Sequence, residues 1–291
     1  PYTDTRTIQI PLHYVDGKYY VNIERLKIVI EQHETSLLYL NSPHNPTGMI
    51  ISKEQCDEIR QLCRYNGIKI VSDEAYDHIV YEPNTHFSMA SYHDKNIFSV
   101  FSFSKTLAAT GLRIGFVVSF DDRVTDMLSK GNYTQTAGVN TAIQHGVASM
   151  LNDRSAMREW NENLMITLKQ RRDIMGATLG EHVPPQGAFY YFVPVSNNDP
   201  DYYIKKCTPI IPGNCFGQGS DKWIRIAFSS VISEDILEGI KKLKGELYEV
   251  ISNHSGKEVS QIEKDFDRDH WMTAIEAKEY GLVDEVLMTN S

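Results

Sequence analysis

No stretch of the sequence approaches the roughly 20 consecutive apolar residues that a bilayer-spanning helix requires. The opening run "PYTDTRTIQIPLHY" also lacks a basic region followed by an apolar one. These absences predict a cytoplasmic chain that engages no membrane. Basic runs are missing as well. The 29 Lys and Arg are outnumbered by 38 Asp and Glu, giving a net charge of −9, and the cations never cluster as a nucleic-acid footprint demands. Cysteine is scarce: Cys56, Cys63, Cys207 and Cys215 contain no CxxC pair. That spacing fits neither a zinc site nor a disulfide framework, so the thiols are expected to be reduced and structural and no metal is expected. Internal repeats and low-complexity tracts are absent too. What remains is 291 residues, 41% hydrophobic and 23% charged, ordinary for a globular protein and long enough for two domains or one large one with an appendage.

The apolar pattern gives an organisation. "TSLLYLNS" (35–42) is a short apolar run ending in turn residues, "SKEQCDEIRQLCRYN" (52–66) has helical spacing, and "GIKIVSD" (67–73) is apolar again, which together read as a strand–helix–strand unit. Ser52 suits the N-cap, and Cys56, Ile59, Leu62 and Cys63 share one stripe of that helix, which places the two cysteines toward a core. "NIFSVFS" and "RIGFVVS" supply two more short strands expected to be buried. Apolar strands alternating with helices imply an α/β layer built on a mostly parallel sheet with flanking helices. Residues 153–180 form a long polar helix pattern suited to bridging two domains. Beyond it, "GAFYYFVPV", "TPIIPG" and "KWIRIAFS" read as short strands broken by Pro and Gly, and residues 233–256 as one amphipathic helix. This is a smaller α+β domain. Composition turns more acidic near 250.

Four features fall at the ends of these strands, where ligands bind in open α/β sheets. In "NSPHNPTG", Asn45 lies in a turn set by Pro46 and Gly48. In "VSDEAY", Asp73 ends a strand and Tyr76 follows three residues on, and a carboxylate buried there needs a partner. In "SFSKTLAATGLRIGF", Ser102, Ser104, Lys105 and Arg113 run along a strand end, a turn and the next strand. In "WIRIAFS", Arg225 interrupts an apolar strand and cannot lose its charge, so it should face a carboxylate, either a structural one or a ligand's.

NPTG, SDEAY, SxSK with GxRxG, PGxxFG and the IRIxFS strand occur in this order, and together they resemble the fold-type I, class I/II aminotransferases that use pyridoxal 5'-phosphate. The resemblance covers about residues 1–248. It implies a pyridoxal-phosphate-binding large domain over 1–165 and a small C-terminal domain over 166–248, in a homodimer acting on an amino acid and a 2-oxo acid. Lys105 resembles the lysine that forms the Schiff base with the cofactor, and the other roles follow residue by residue. Asp73 is implied to pair with the pyridinium nitrogen. Asn45 and Tyr76 are implied to donate to the ring oxygen, and Ser102, Ser104 and Arg113 to hold the phosphate. Arg225 is implied to clamp the α-carboxylate, with Asn45 also at the substrate. The family also has an N-terminal portion with a glycine-containing helix start at the phosphate and an aromatic residue stacked on the ring. Pro1 follows those elements, which sets an expectation of weaker cofactor binding and an uncovered sheet edge.

Residues 246–291 are similar to the C-terminal segment of the Clp protease proteolytic subunit, so that 249–291 is expected to be a short α/β tail, as in a fusion. Asp269 stands where that family has the acid of a Ser-His-Asp triad, yet no serine or histidine motif accompanies it, and an acid alone does nothing. The tail's apolar residues, among them Ile262, Phe266 and Trp271, suit it to docking or association. Two alternatives to the aminotransferase reading stand at this point. One is a pyridoxal-phosphate-dependent carbon–sulfur β-lyase, which "PHNPTG" also suits; the other is a truncated, non-catalytic chain with an assembly tail.

Overall fold

The computed structural model describes residues 6–179, 183–194 and 210–229, and in the C-terminal part residues 245, 248–249, 251–253, 255–265 and 272–281. Its centre is a four-stranded sheet in the order β3 (Leu37–Asn41), β4 (Lys69–Asp73), β5 (Ile97–Ser102), β6 (Gly115–Val118). The first three strands are parallel and β6 is antiparallel. The mostly parallel sheet read from the sequence is therefore present. The crossover between β3 and β4 is helix α2 (Lys53–Tyr65), which starts at a capping box in which Ser52 accepts from the Gln55 amide and the Gln55 side chain returns a bond to the Ser52 amide. Cys56, Ile59 and Cys63 are buried on the inner stripe of α2 and pack with Leu40, Ile68, Ile70 and Ile97 of the sheet. Burial pushes the Cys56 thiol up to about 12 and the Cys63 thiol to about 11, which suits inert core residues. Cys207 lies outside the described residues.

The sequence pattern misleads at β6. Phe116 and Val117 are 45% and 44% exposed, so this is not a buried strand. It is the edge of the sheet, and the helix that follows it, α4 (Asp122–Thr136), buries no residue against it. An edge strand reads like a central one because periodicity registers apolar content and not what lies alongside. The opposite edge is open as well, with Leu37 53% and Tyr39 61% exposed.

Ahead of the sheet come a hairpin, β1 (His13–Val15) and β2 (Lys18–Tyr20), and helix α1 (Ile23–Gln32). After α4, helix α5 (Thr141–Asn152) leads into α6 (Arg154–Leu179), the long helix expected over 153–180. A second sheet, entirely antiparallel, has the order β7 (Tyr190–Pro194), β9 (Trp223–Ala227), β8 (Ile210–Pro212). Its inner face, with Tyr191, Val193, Ile224 and Ile226, packs on Leu168 and Met175 of α6 and reaches Tyr76, Ile79 and Tyr81 beyond β4. The two sheets thus meet through the segment that follows Asp73. The tail contributes α7 (Val259–Asp265), which buries Ile262, and α8 (Ala274–Tyr280), which opens on a Thr273–Glu276 capping box. Most of the helix expected over 233–256, together with Phe266, Asp269 and Trp271, lies outside the described residues.

Candidate active site

The turn after β3 supplies the first group. Gly48 adopts φ +68, and a Cβ there would stand 2.3 Å from the Pro185 side chain and 2.7 Å from the Gly187 carbonyl, so only glycine lets the loop close against the segment before β7. Within the turn, the Asn45 amide donates to Asn41 Oδ1 at 2.7 Å, and Asn41 Nδ2 donates to the Asp73 carbonyl at 3.0 Å. Asn45 is thereby tied to the end of β4. Its side-chain Oδ1 accepts from Arg225 Nη1 at 2.9 Å, leaving the amide NH2 as a donor. His44 in the same turn is held neutral. Burial pushes its pKa down to about 4 against the pull of Asp73, and Nδ1 meets Thr47 Oγ at 2.8 Å.

Arg225 projects from β9, and its guanidinium lies between two rings, 4.4 Å from the centre of Tyr190 and 4.9 Å from that of Phe216. Its Nε is buried with no hydrogen-bond partner, and among the described residues no carboxylate comes within salt-bridge range of it. Among the described residues, then, this charge serves no structural ion pair. Tyr190 Oη in turn meets Tyr76 Oη at 2.9 Å, and burial, with Tyr190 beside it, raises the Tyr76 phenol well above its ordinary range.

Lys105 sits in α3 (Phe103–Thr106), a single turn capped by Ser102, whose Oγ accepts from the Ser104 amide at 3.3 Å. The Lys105 Nζ lies 5.5 Å from the centre of the Phe189 ring and 5.9 Å from that of Tyr76. Burial, then the charges of Arg225 and Arg113, hold its ammonium below the usual lysine range, which leaves more free amine near neutral pH. Ser104 is buried, whereas Arg113 follows in the left-handed region at φ +50 with its Nη1 on the Thr110 carbonyl.

Asp73 closes β4. Its Oδ1 accepts from the Ala75 amide at 3.1 Å and its Oδ2 from the Tyr39 hydroxyl at 2.6 Å. The partner its carboxylate was expected to need is thus a tyrosine two residues before Asn41 on the neighbouring strand, with Asn41 directly opposite Asp73 in the parallel register. Contacts link Asp73, Asn41, Asn45, Arg225, Tyr190, Tyr76 and Lys105 in turn. The candidates from four separate stretches of sequence are thereby brought together, with Ser102, Ser104 and Arg113 on the side of Lys105. Tyr39, Asn41, Tyr190 and Phe216 were not singled out in the sequence. Asn41 and Phe216 lie within the quoted motifs NSPHNPTG and PGxxFG, and Tyr190 within the aromatic run "GAFYYF", whereas Tyr39 carried no local signal.

An amine with a depressed pKa, an arginine with no carboxylate in range among the described residues and a carboxylate with acceptor sites to spare thus stand together at the strand ends. A family model described as "Aminotransferase class I and II" matches residues 3–243, and the chain belongs to that family. This is a pyridoxal-phosphate-dependent family. The chain is 28% identical over 255 residues to an aspartate aminotransferase of Pyrococcus abyssi, matching 82% of this chain and 64% of that protein. It is 30% identical over 261 residues to a probable aspartate/prephenate aminotransferase of Aquifex aeolicus, with 84% and 64% covered. An aromatic aminotransferase structure from Pyrococcus horikoshii superposes with a TM-score of 0.73 at 24% identity, over 89% of this chain and 68% of that one, and so shares the fold. The chain spans about two thirds of the length of these curated relatives. A second, short match, to a Clp protease family model, covers residues 232–290.

Proposed function

We propose that the chain acts as a pyridoxal-phosphate-dependent aminotransferase that moves an amino group between an amino acid and a 2-oxo acid, with Lys105 as the cofactor-linked lysine. Arg225 carries the reading: a guanidinium stacked between Tyr190 and Phe216, tied to Asn45, with a buried Nε left over, is prepared for a carboxylate brought by a ligand. The residues present also fit the cofactor. Asp73 uses one acceptor site on each oxygen, and a carboxylate has about four. Asn45 keeps its NH2, and Tyr190 can donate to Tyr76, which frees the Tyr76 proton.

When bound, the cofactor would supply an electron sink for negative charge at the substrate α-carbon. The protein's part is to aim and to transfer protons. Asp73 would keep a proton on the pyridine nitrogen, Asn45 and Tyr76 would donate to the ring oxygen, and Ser102, Ser104 and Arg113 would hold the phosphate. Lys105, once displaced by the incoming amine, would take the proton from the substrate α-carbon on Nζ, and its depressed pKa favours the free amine this requires. Arg225 would fix the substrate carboxylate by two parallel bonds and so orient the α-carbon toward Nζ. Single-turnover spectra of cofactor-loaded protein test the reading: an amino acid should bleach the bound chromophore, and a 2-oxo acid added afterwards should restore it. Release of a thiol and ammonia from a sulfur amino acid, without restoration, would sink it in favour of a β-lyase.

The three-part division at 165 and 248 belongs to the same reading, supported by the packing of the second sheet on the later half of α6. So does a cytoplasmic homodimer: α4 buries none of its residues and presents Met127 and Tyr133 at 70% and 74% exposure, an unpaired apolar surface. No helix among the described residues is long and apolar enough to cross a membrane. The Clp-like tail is read as a catalytically inert association element.

A further inference from the structure

The Tyr39–Asp73 contact goes beyond the motifs. The Tyr39 side chain is 61% exposed, so its ring is not fixed by a core, yet its hydroxyl meets Asp73 Oδ2 at 2.6 Å. The geometry follows from the strands. Asn41 lies opposite Asp73 in the parallel β3–β4 pair and Tyr39 two residues earlier on the same face, so a side chain as long as tyrosine's reaches diagonally to the carboxylate. Phenylalanine would lack the hydroxyl, and serine or threonine the reach. Meanwhile the Ala75 amide holds the other oxygen, Oδ1, at 3.1 Å.

We infer that Tyr39 is a positioning residue, which fixes the Asp73 carboxylate in the orientation that receives the pyridine nitrogen; the inference rests on the aminotransferase reading above. The last torsion of an aspartate is broad and roughly two-fold, so one backbone bond to Oδ1 leaves the carboxylate plane free to turn. A second donor on Oδ2 removes that freedom and leaves the unused lone pairs aimed in one direction. Pre-organisation of this kind is felt as affinity, because less order is imposed when the ligand arrives. The phenol is modified in return. Partial burial, then the bond to Asp73 and its charge, raise the Tyr39 pKa above the ordinary tyrosine range.

The test is a double-mutant cycle on pyridoxal phosphate affinity, read by absorbance titration of full-length protein. Tyr39→Phe should weaken binding roughly threefold to tenfold, the effect of one hydrogen bond. In an Asp73→Ala background the same substitution should change affinity less than twofold, and Asp73→Asn serves as the background if the alanine variant does not fold. Independently, in cofactor-free protein, Asp73→Ala should let one tyrosine ionise at lower pH in a spectrophotometric titration. Equal losses in both backgrounds, or no loss on Tyr39→Phe in the parent, would overturn the positioning role while leaving the aminotransferase reading intact. A parent protein that binds no cofactor would overturn both.

Discussion

Arg225 and Asn45, 180 residues apart in the sequence, meet through a 2.9 Å bond from Nη1 to Oδ1 that joins the two sheets at the candidate site. The bond places a charge from the small antiparallel sheet above the turn that ends a strand of the parallel one. The same guanidinium is stacked on Tyr190 and Phe216, so its plane is set before any ligand arrives. That geometry makes the arginine's shape, and not only its charge, the testable quantity.

Arg225→Lys should raise the Michaelis constants for amino acids and 2-oxo acids alike, by roughly 10-fold to 100-fold, because a point ammonium cannot reproduce a planar two-bond clamp. Cofactor affinity should stay within about twofold of the parent. Steady-state kinetics on both half-reactions make the check, and an effect confined to one substrate would identify Arg225 as a side-chain specificity residue instead.

Asp73→Asn should lower turnover by roughly one to two decades, the effect of losing a charged hydrogen bond to the reacting system. The amide keeps an oxygen for the Ala75 amide, so the melting temperature should change little. Unchanged turnover would contradict the role given to the carboxylate.

His44 sets a pH dependence of stability. Its folded pKa of about 4 lies below the ordinary value of about 6.5, so between these the unfolded chain binds more protons than the folded one. Stability is then complete above about pH 6.5 and declines as pH falls toward 4, by on the order of 3 kcal/mol over the window. Denaturant midpoints measured at several pH values should follow this slope, and His44→Asn should flatten it. A parent whose stability is level from pH 6.5 to 4 would exclude the buried neutral imidazole.

The tail should be separable from the chemistry. Deleting 252–291 should leave cofactor affinity within about twofold while changing the sedimentation of the protein, since α7 buries Ile262 and thus packs on other residues. A peptidase activity lost on Asp269→Ala would contradict the inert reading.

The residues legible in the sequence are those whose chemistry is local. Ser52 announced its helix because a cap and its box lie within four residues, and Asp73 and Lys105 stood out because a strand end followed by a turn is written in consecutive letters. Tyr39 was not legible. Its role depends on the register between two parallel strands that the helix α2 separates, and no local pattern states a register. The exposure of β6 was missed for a related reason, since neighbours, and not composition, decide which strand is an edge. Arg225 was legible as an anomaly in an apolar strand, but its partner Asn45, and the lack of a carboxylate in range among the described residues, belong to the assembled molecule.

The most direct measurement is reductive trapping: pyridoxal phosphate is bound to the full-length protein, the lysine–cofactor bond is reduced with borohydride, and the peptides are mapped by mass spectrometry. The pyridoxyl group is predicted on Lys105, stoichiometrically and without loss to other lysines, and Lys105→Ala should remove it while leaving the protein folded. A pyridoxyl group on another lysine, or none on protein saturated with cofactor, would contradict the proposed function.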